Sequence, residues 1–258
     1  MTEASPSELM TIVDSRLLGD RIVSFFGIGI PSKAATMARI TRPPNLILIY
    51  ESGTIGAPSE TFPLSIGDGE LATTADTVIS TMEIFSHWLQ GGRVIVVFLG
   101  AAQVDRFANL NSTVIGDYAA PKVLLPGAGG TPEIASLAAE TFVIIKHDNS
   151  RLVEKVDFVI SSGFLDGGDS RQQKGICDSV PSVIITDLFC FRPDAETKEL
   201  IVNQLHPGVT RDDVCDTTGW AVTFADDLFE AQSPTETELA TLRELELPAE
   251  TVQNGGGE

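Results

Sequence analysis

The segment Asn45–Tyr50, NLILIY, is an apolar run that ends abruptly at Glu51, Ser52 and Gly53. A strand with one wet face alternates polar and apolar residues, so a continuous run marks a parallel strand covered on both faces. That selects an α/β architecture, because parallel strands are joined by crossovers that lay helices over them. The stop matters as much as the run: it sets a carboxylate at the carboxyl end of a buried strand, where open α/β sheets bind their ligands.

The rest of the chain keeps the alternation. Apolar spacing predicts a helix over Ser7–Leu18, a strand over Arg21–Phe26, a turn at Gly27–Ile30 and a helix from Pro31 to about Ile40, a βαβ unit punctuated by Pro43 and Pro44. An irregular stretch, Thr54–Ala75, precedes a helix over about Asp76–Leu89 and a buried strand over Arg93–Leu99. Short β segments at Thr113–Ile115 and Val123–Leu125 lead to Gly127–Gly130, and Thr131 is the expected cap of a helix over Pro132–Ala139. Phe142–Lys146 is a further strand, and Asp157–Ile160 and Val183–Asp187 flank a glycine-rich loop, Ser162–Ser179. Phe189–Phe191 and Glu199–Gln204 read as an antiparallel hairpin, Thr210 as a helix cap, Ala221–Phe224 as the last strand and Thr235–Leu245 as the last helix. The expected fold is α/β, an open, mostly parallel sheet flanked by helices, in a single domain over residues 1–250 with a disordered tail over 251–258.

Charge narrows the partners. With 36 acidic and 17 basic residues, the 258-residue chain carries a net charge of −19. Nucleic acid is bound by clustered Lys and Arg, which this chain lacks, and an anionic membrane surface is repelled by the same charge. The opening MTEASPSELM has acids where a secretory signal has Lys or Arg, and no apolar stretch approaches a membrane span, so the expected location is cytoplasmic. Cys177, Cys190 and Cys215 are widely spaced, which argues against a disulfide framework and against zinc.

Glu51 reads either as a strand-end carboxylate presented to a substrate or as a solvated turn residue. Gly127, Ala128, Gly129 and Gly130 precede a helix and leave backbone N–H groups open to an oxyanion or a phosphate, or else form a tight turn. Gln103, Asp105, Asn109 and Asn111 follow a buried strand; an Asx-rich turn that satisfies its own backbone is the favoured reading. Gly27 and Gly29 begin like a dinucleotide fingerprint, but Pro31 and Ser32 break its spacing, and no P-loop, HExxH or GxSxG motif occurs. His87, His147 and His206 lie far apart in sequence and read as structural.

In order, FGIGIPSKAA (Gly27, Gly29, Pro31), IYESG (Glu51, Ser52, Gly53) and FLGAAQVDRFANLNSTVIGDYAAPKVLLPGAGG (Phe98–Gly130) resemble the B subunit of family I coenzyme A transferases. The glutaconate and 3-oxoacid branches are the most similar. DFVISSGFLDG, Val183–Asp187 and HPGVTRDDV continue the resemblance, which spans nearly the whole chain. It implies a homologous A subunit that completes the active site, in a heterotetramer or hetero-octamer. It implies an acyl-CoA and a carboxylic acid as substrates, no permanently bound cofactor, no metal, and Glu51 as covalent nucleophile. It further implies that Gly127, Gly129 and Gly130 serve the oxyanion or CoA, and that Ser52, Gly53, Gly29 and Gln103 face the substrate. Ala108, where relatives often have Gly, and the individual loop Gly167–Ser179 are departures that bear on which acid is chosen. An acyl-CoA hydrolase or decarboxylase on the same fold, and a non-catalytic small-molecule sensor, are the alternatives. Such hydrolases and decarboxylases have generally lost the glutamate, so Glu51 favours transfer.

Overall fold

The computed structural model describes residues 4–18, 23–27, 29–41, 46–57, 62–63, 65–176 and 180–246. In chain order the elements are α1 (Pro6–Leu18), β1 (Val23–Phe26), α2 (Ile30–Thr41), β2 (Ile47–Tyr50), β3 (Thr54–Ile55), α3 (Gly69–Thr74), β4 (Thr77–Val78), α4 (Thr81–Glu83), a π-helix (Ile84–Leu89), β5 (Val96–Gly100), β6 (Gln103–Asp105), β7 (Leu110–Asn111) and β8 (Val114–Asp117). They continue with β9 (Ala120–Leu124), α5 (Thr131–Leu137), β10 (Glu140–Ile144), β11 (Leu152–Val153), α6 (Ser170–Gln173), β12 (Val180–Ile185), β13 (Phe189–Pro193), β14 (Leu200–Leu205), α7 (Arg211–Thr217), β15 (Thr223–Glu230) and α8 (Glu236–Leu245). The chain divides into two compact units: Met1–Ile84 with Pro234–Glu258, and Phe85–Ser233.

In the first unit β1 and β2 pair in parallel, from Val23 opposite Ile47 to Phe26 opposite Tyr50, and β3 and β4 add antiparallel to β2. Pro31 suits the first turn of α2, and the buried Ala34, Ala35 and Ala38 keep that helix slim where it packs. Ile12 of α1, Met37 of α2 and Leu242 of α8 form one buried cluster, ringed by Phe62, Leu239 and Leu245. Two forked ion pairs hold α1 to α8: Arg16 donates to Glu238 at 2.9 and 2.6 Å, and Arg243 to Glu8 at 2.5 and 3.2 Å. On the buried side of α1, Asp14 is fully enclosed with neither carboxyl oxygen hydrogen-bonded, and burial pushes its carboxyl well above the usual aspartate range.

In the second unit β5, β10 and β12 run parallel, β12, β13 and β14 form an antiparallel meander, and β15 returns parallel to β14. Phe98 and Phe142 meet edge to face across β5 and β10, 5.2 Å between centroids. A small sheet of β11, β6 and β7 and the β8–β9 hairpin complete the unit.

The sheet flanked by helices, the βαβ unit and the late hairpin agree with the expectation. Three local readings are corrected. The helix expected over Asp76–Leu89 is broken: the β-branched Thr77 and Val78 pair with β3, Ser80 then starts α4 through a capping box with Glu83, and the chain continues as the π-helix. The stretch read as irregular holds β3 and α3, the latter capped by Asp68. Residues 157–160 form no strand; Ser161 makes a single bridge to Leu110. The readings at Arg21, Ile28, Pro43, Pro44, Asn45, Cys177 and the tail lie outside the described residues.

Candidate active site

Glu51 and Ser52 are the central residues of a turn closed by the Gly53 N–H on the Tyr50 carbonyl, 2.9 Å. The turn is locked from outside by the Ile79 N–H on the Gly53 carbonyl, 3.0 Å. Gly53 has φ +104°, and a Cβ there would lie 1.8 Å from the Ile79 oxygen. A glycine is therefore required on both counts. The parallel register sets Phe26 beside Tyr50, so the Gly27–Gly29 loop and the Glu51 turn leave neighbouring strands at the same edge. Gly29 is exposed at φ +103°, and its carbonyl accepts from the Lys33 N–H and the Ser32 hydroxyl.

Glu51 is half-buried, and among the described residues its carboxylate has no hydrogen-bond or ion-pair partner. An unpaired carboxylate at a parallel strand end has its lone pairs free for an incoming electrophile. The Ser52 hydroxyl is buried and also has no hydrogen-bond partner among the described residues.

The glycine loop belongs to the second unit. Gly129 and Gly130, with Gly130 capping α5, have N–H groups without a partner among the described residues. Two adjacent free amides suit a developing oxyanion. Gly127, expected with them, has φ +94° and an N–H engaged by the Ser112 carbonyl, 3.1 Å. The expected cap is corrected, since Gly130 rather than Thr131 caps the helix.

Gln103 is already hydrogen-bonded within the fold. It is 5% exposed, donates to Asp157 at 3.0 Å, and accepts from the Asp157 N–H at 3.1 Å and from Asn111 at 2.7 Å. Asp157 in turn accepts from the Gly116 N–H, 2.9 Å, and so fastens the β8–β9 hairpin that leads into the glycine loop. Sequence reading missed Asp157 because its partners lie about 40 to 54 positions away along the chain.

The Asx-rich turn satisfies its own backbone at Asp105 and Asn111, whereas Asn109 reaches a loop more than 50 positions away. Asp105 accepts from the Phe107 and Asn109 N–H groups, and the Asn109 amide joins Asp105 to the Leu165 carbonyl and the Gly163 and Leu165 N–H groups at 2.8–3.1 Å. Burial pushes the Asp105 carboxyl up, against the pull of these bonds. His206 is buried with Nε2 2.8 Å from the Thr186 carbonyl, a structural role.

Residues 18–217 match the model of the coenzyme A transferase family. The chain belongs to that family. The B subunit of the 3-oxoadipate CoA-transferase of Pseudomonas knackmussii is 54% identical over 260 residues, covering 100% of both chains. The B subunit of the glutaconate CoA-transferase of Acidaminococcus fermentans is 28% identical over 224 residues, 85% of this chain and 84% of that one. The crystal structure of that organism's glutaconate coenzyme A-transferase superposes with a TM-score of 0.88 at 26% identity, covering 96% of this chain and 99% of the other. The chain is thus the B subunit of a CoA-transferase, an enzyme component rather than a sensor, on the open α/β fold of that family. Among the described residues no helix is long and apolar enough to cross a membrane.

Proposed function

We propose that this B subunit, with a homologous A subunit in a heterotetramer or hetero-octamer, moves CoA between an acyl-CoA and a 3-oxo dicarboxylic acid such as 3-oxoadipate. Residues 1–250 act as one catalytic module, in the cytoplasm and without a permanently bound cofactor. The observation that carries the reaction is the unpaired Glu51 carboxylate at the carboxyl end of β2. The relative with full coverage, named for 3-oxoadipate, supports the choice of acid.

The Glu51 oxygen attacks the thioester carbonyl, the C–S bond breaks, and a mixed anhydride and CoA thiolate result. The thiolate then attacks the Glu51 carbonyl, releasing the donor as its carboxylate and leaving a glutamyl-CoA thioester. The acceptor carboxylate runs the sequence in reverse. Each tetrahedral intermediate carries an oxyanion, for which the free N–H groups of Gly129 and Gly130 are the proposed donors. Ser52, Gly53, Gly29 and Gln103 are the proposed substrate-facing residues, Gly53 also by shaping the turn.

The test is the mass of the A–B complex after incubation with acyl-CoA and borohydride, which reduces a glutamyl thioester to an alcohol. A mass change that maps to Glu51 is the expected result. Consumption of acyl-CoA without it would replace transfer by hydrolysis or decarboxylation.

A further inference from the structure

The turn that presents Glu51 is fastened from outside by the Ile79 N–H on the Gly53 carbonyl, 3.0 Å, so whatever holds Ile79 bears on Glu51. Ile79 belongs to a short strap, residues 76–80, that runs antiparallel to the chain after the turn. Asp76 donates its N–H to the Ile55 carbonyl, 3.0 Å, Thr77 pairs with Ile55, and Val78 pairs with Thr54. Asp76 also lies over the bare backbone of Gly56, where a Cβ at φ +73° would come within 2.1 Å of its carboxylate. Every residue in this chain of contacts belongs, with Glu51, to the first unit.

Hydrophobic burial does not hold the strap. Asp76, Thr77, Val78 and Ser80 are exposed, Val78 by 54%, and Ile79 is half-buried. A segment with so little buried side chain opens locally at low cost unless its ends are tied. The amino end is tied through α3, whose Leu71 is fully buried. The carboxyl end is tied at Ser80. Its hydroxyl accepts from the Glu83 N–H, 3.2 Å, and the Glu83 carboxylate accepts from the Ser80 N–H and hydroxyl, 3.0 and 2.9 Å. The Ser80 carbonyl takes the Ile84 N–H, 3.1 Å, and Ile84 is fully buried. Because a capping box satisfies two donors reciprocally, it fixes the backbone on either side of its first residue, and the residue before Ser80 is Ile79.

From these contacts we propose that Ser80 and Glu83 are positioning residues for Glu51: their capping box keeps the Ile79 N–H on the Gly53 carbonyl and so holds the turn in the shape that aims the Glu51 carboxylate. Neither needs to touch the substrate. The inference rests on the reading of Glu51 as nucleophile given above and adds what sets its aim. A nucleophile that must come within about 3–3.5 Å of its carbonyl loses rate when the turn beneath it loosens.

The test is hydrogen exchange and steady-state kinetics on the intact A–B complex. Ser80→Ala is expected to speed exchange roughly fivefold over residues 50–56 and 76–80, the effect of one lost cap, and to leave the rest of the complex as it was. It should lower kcat by roughly threefold or more with KM for the acyl-CoA within about twofold, and the melting temperature should stay within a degree or two because Ser80 is exposed. Ser80→Thr keeps a hydroxyl that can cap and is expected to restore both exchange and kcat. Glu83→Ala is expected to match Ser80→Ala, and the double variant to lose no more than either, since all three break the same box. Wild-type kcat in Ser80→Ala while exchange over 50–56 rises overturns the positioning role. Wild-type exchange over 50–56 overturns the coupling through Ile79, and a loss in Ser80→Thr equal to that in Ser80→Ala overturns the box as its cause. Glu51→Ala separates the two readings: if it still transfers CoA, the nucleophile fails and this inference with it, whereas loss of transfer there beside wild-type kcat in Ser80→Ala removes this inference alone.

Discussion

Glu51 depends on the glycine two places after it. Adding a methyl group at Gly53 drives it into the Ile79 carbonyl, so Gly53→Ala opens the turn that presents the proposed nucleophile. We expect it to cost about 2 kcal/mol in thermal unfolding and to remove most activity. Glu51→Ala should abolish transfer while leaving the melting temperature within a degree or two of wild type, since among the described residues no bond uses that carboxylate. Glu51→Asp should lose roughly 10²-fold or more in kcat, because one methylene withdraws the oxygen from attack distance. Asp14 makes the opposite kind of prediction. Its folded carboxyl titrates above the unfolded one, so its protonated form is favourable below the unfolded value and becomes a penalty as pH rises through the folded one. Asp14→Asn should therefore raise thermal stability at pH 7.5 and gain little at pH 4. Glu51 was legible because its position follows from the strand beside it. The bonds of Gln103 to Asp157 and of Gly127 to Ser112 were not, because those partners are neighbours only in the folded chain.

Late in the chain, helix ends that carry their own chemistry were readable. Thr210 and Thr235 begin α7 and α8 through capping boxes with Asp213 and Glu238, all four visible in sequence. Thr210→Ala should cost about 1 kcal/mol by urea unfolding, whereas Thr131→Ala should cost clearly less, since Gly130 is the cap of α5. The broken helix over Asp76–Leu89 misled because its apolar spacing suits a helix, while Thr77 and Val78 are claimed by β3. The Asn109 lock joins loops more than 50 positions apart, and its removal leaves several buried groups without partners. Asn109→Ala should cost about 3 kcal/mol, with hydrogen exchange rising first over 105–109 and 163–166.

At the scale of the whole molecule, charge sets the response to solvent. A net charge of −19 opposes compaction, and salt screens that repulsion, so the urea midpoint should rise on going to molar KCl. Acid acts more locally. The Arg243 bond holds Glu8 down to about 2; at Glu238 burial pushes up, but Arg16 and Thr235 prevail and it also falls to about 2. Both are depressed below the ordinary glutamate value of 4.5, so their stabilisation is present above that pH and fades as pH falls toward 2. Arg16→Gln should flatten that acid limb in a pH series of unfolding midpoints. The fold class was legible because burial on both faces of NLILIY admits few alternatives; the clamping of α8 onto α1 was not, because its ion pairs join residues more than 200 positions apart. Those clamps also fix an order of events during synthesis. The first unit begins with the first helix made and is closed by the last, so on the ribosome its opening segment waits, unfinished, while the uninterrupted second unit emerges and folds ahead of it.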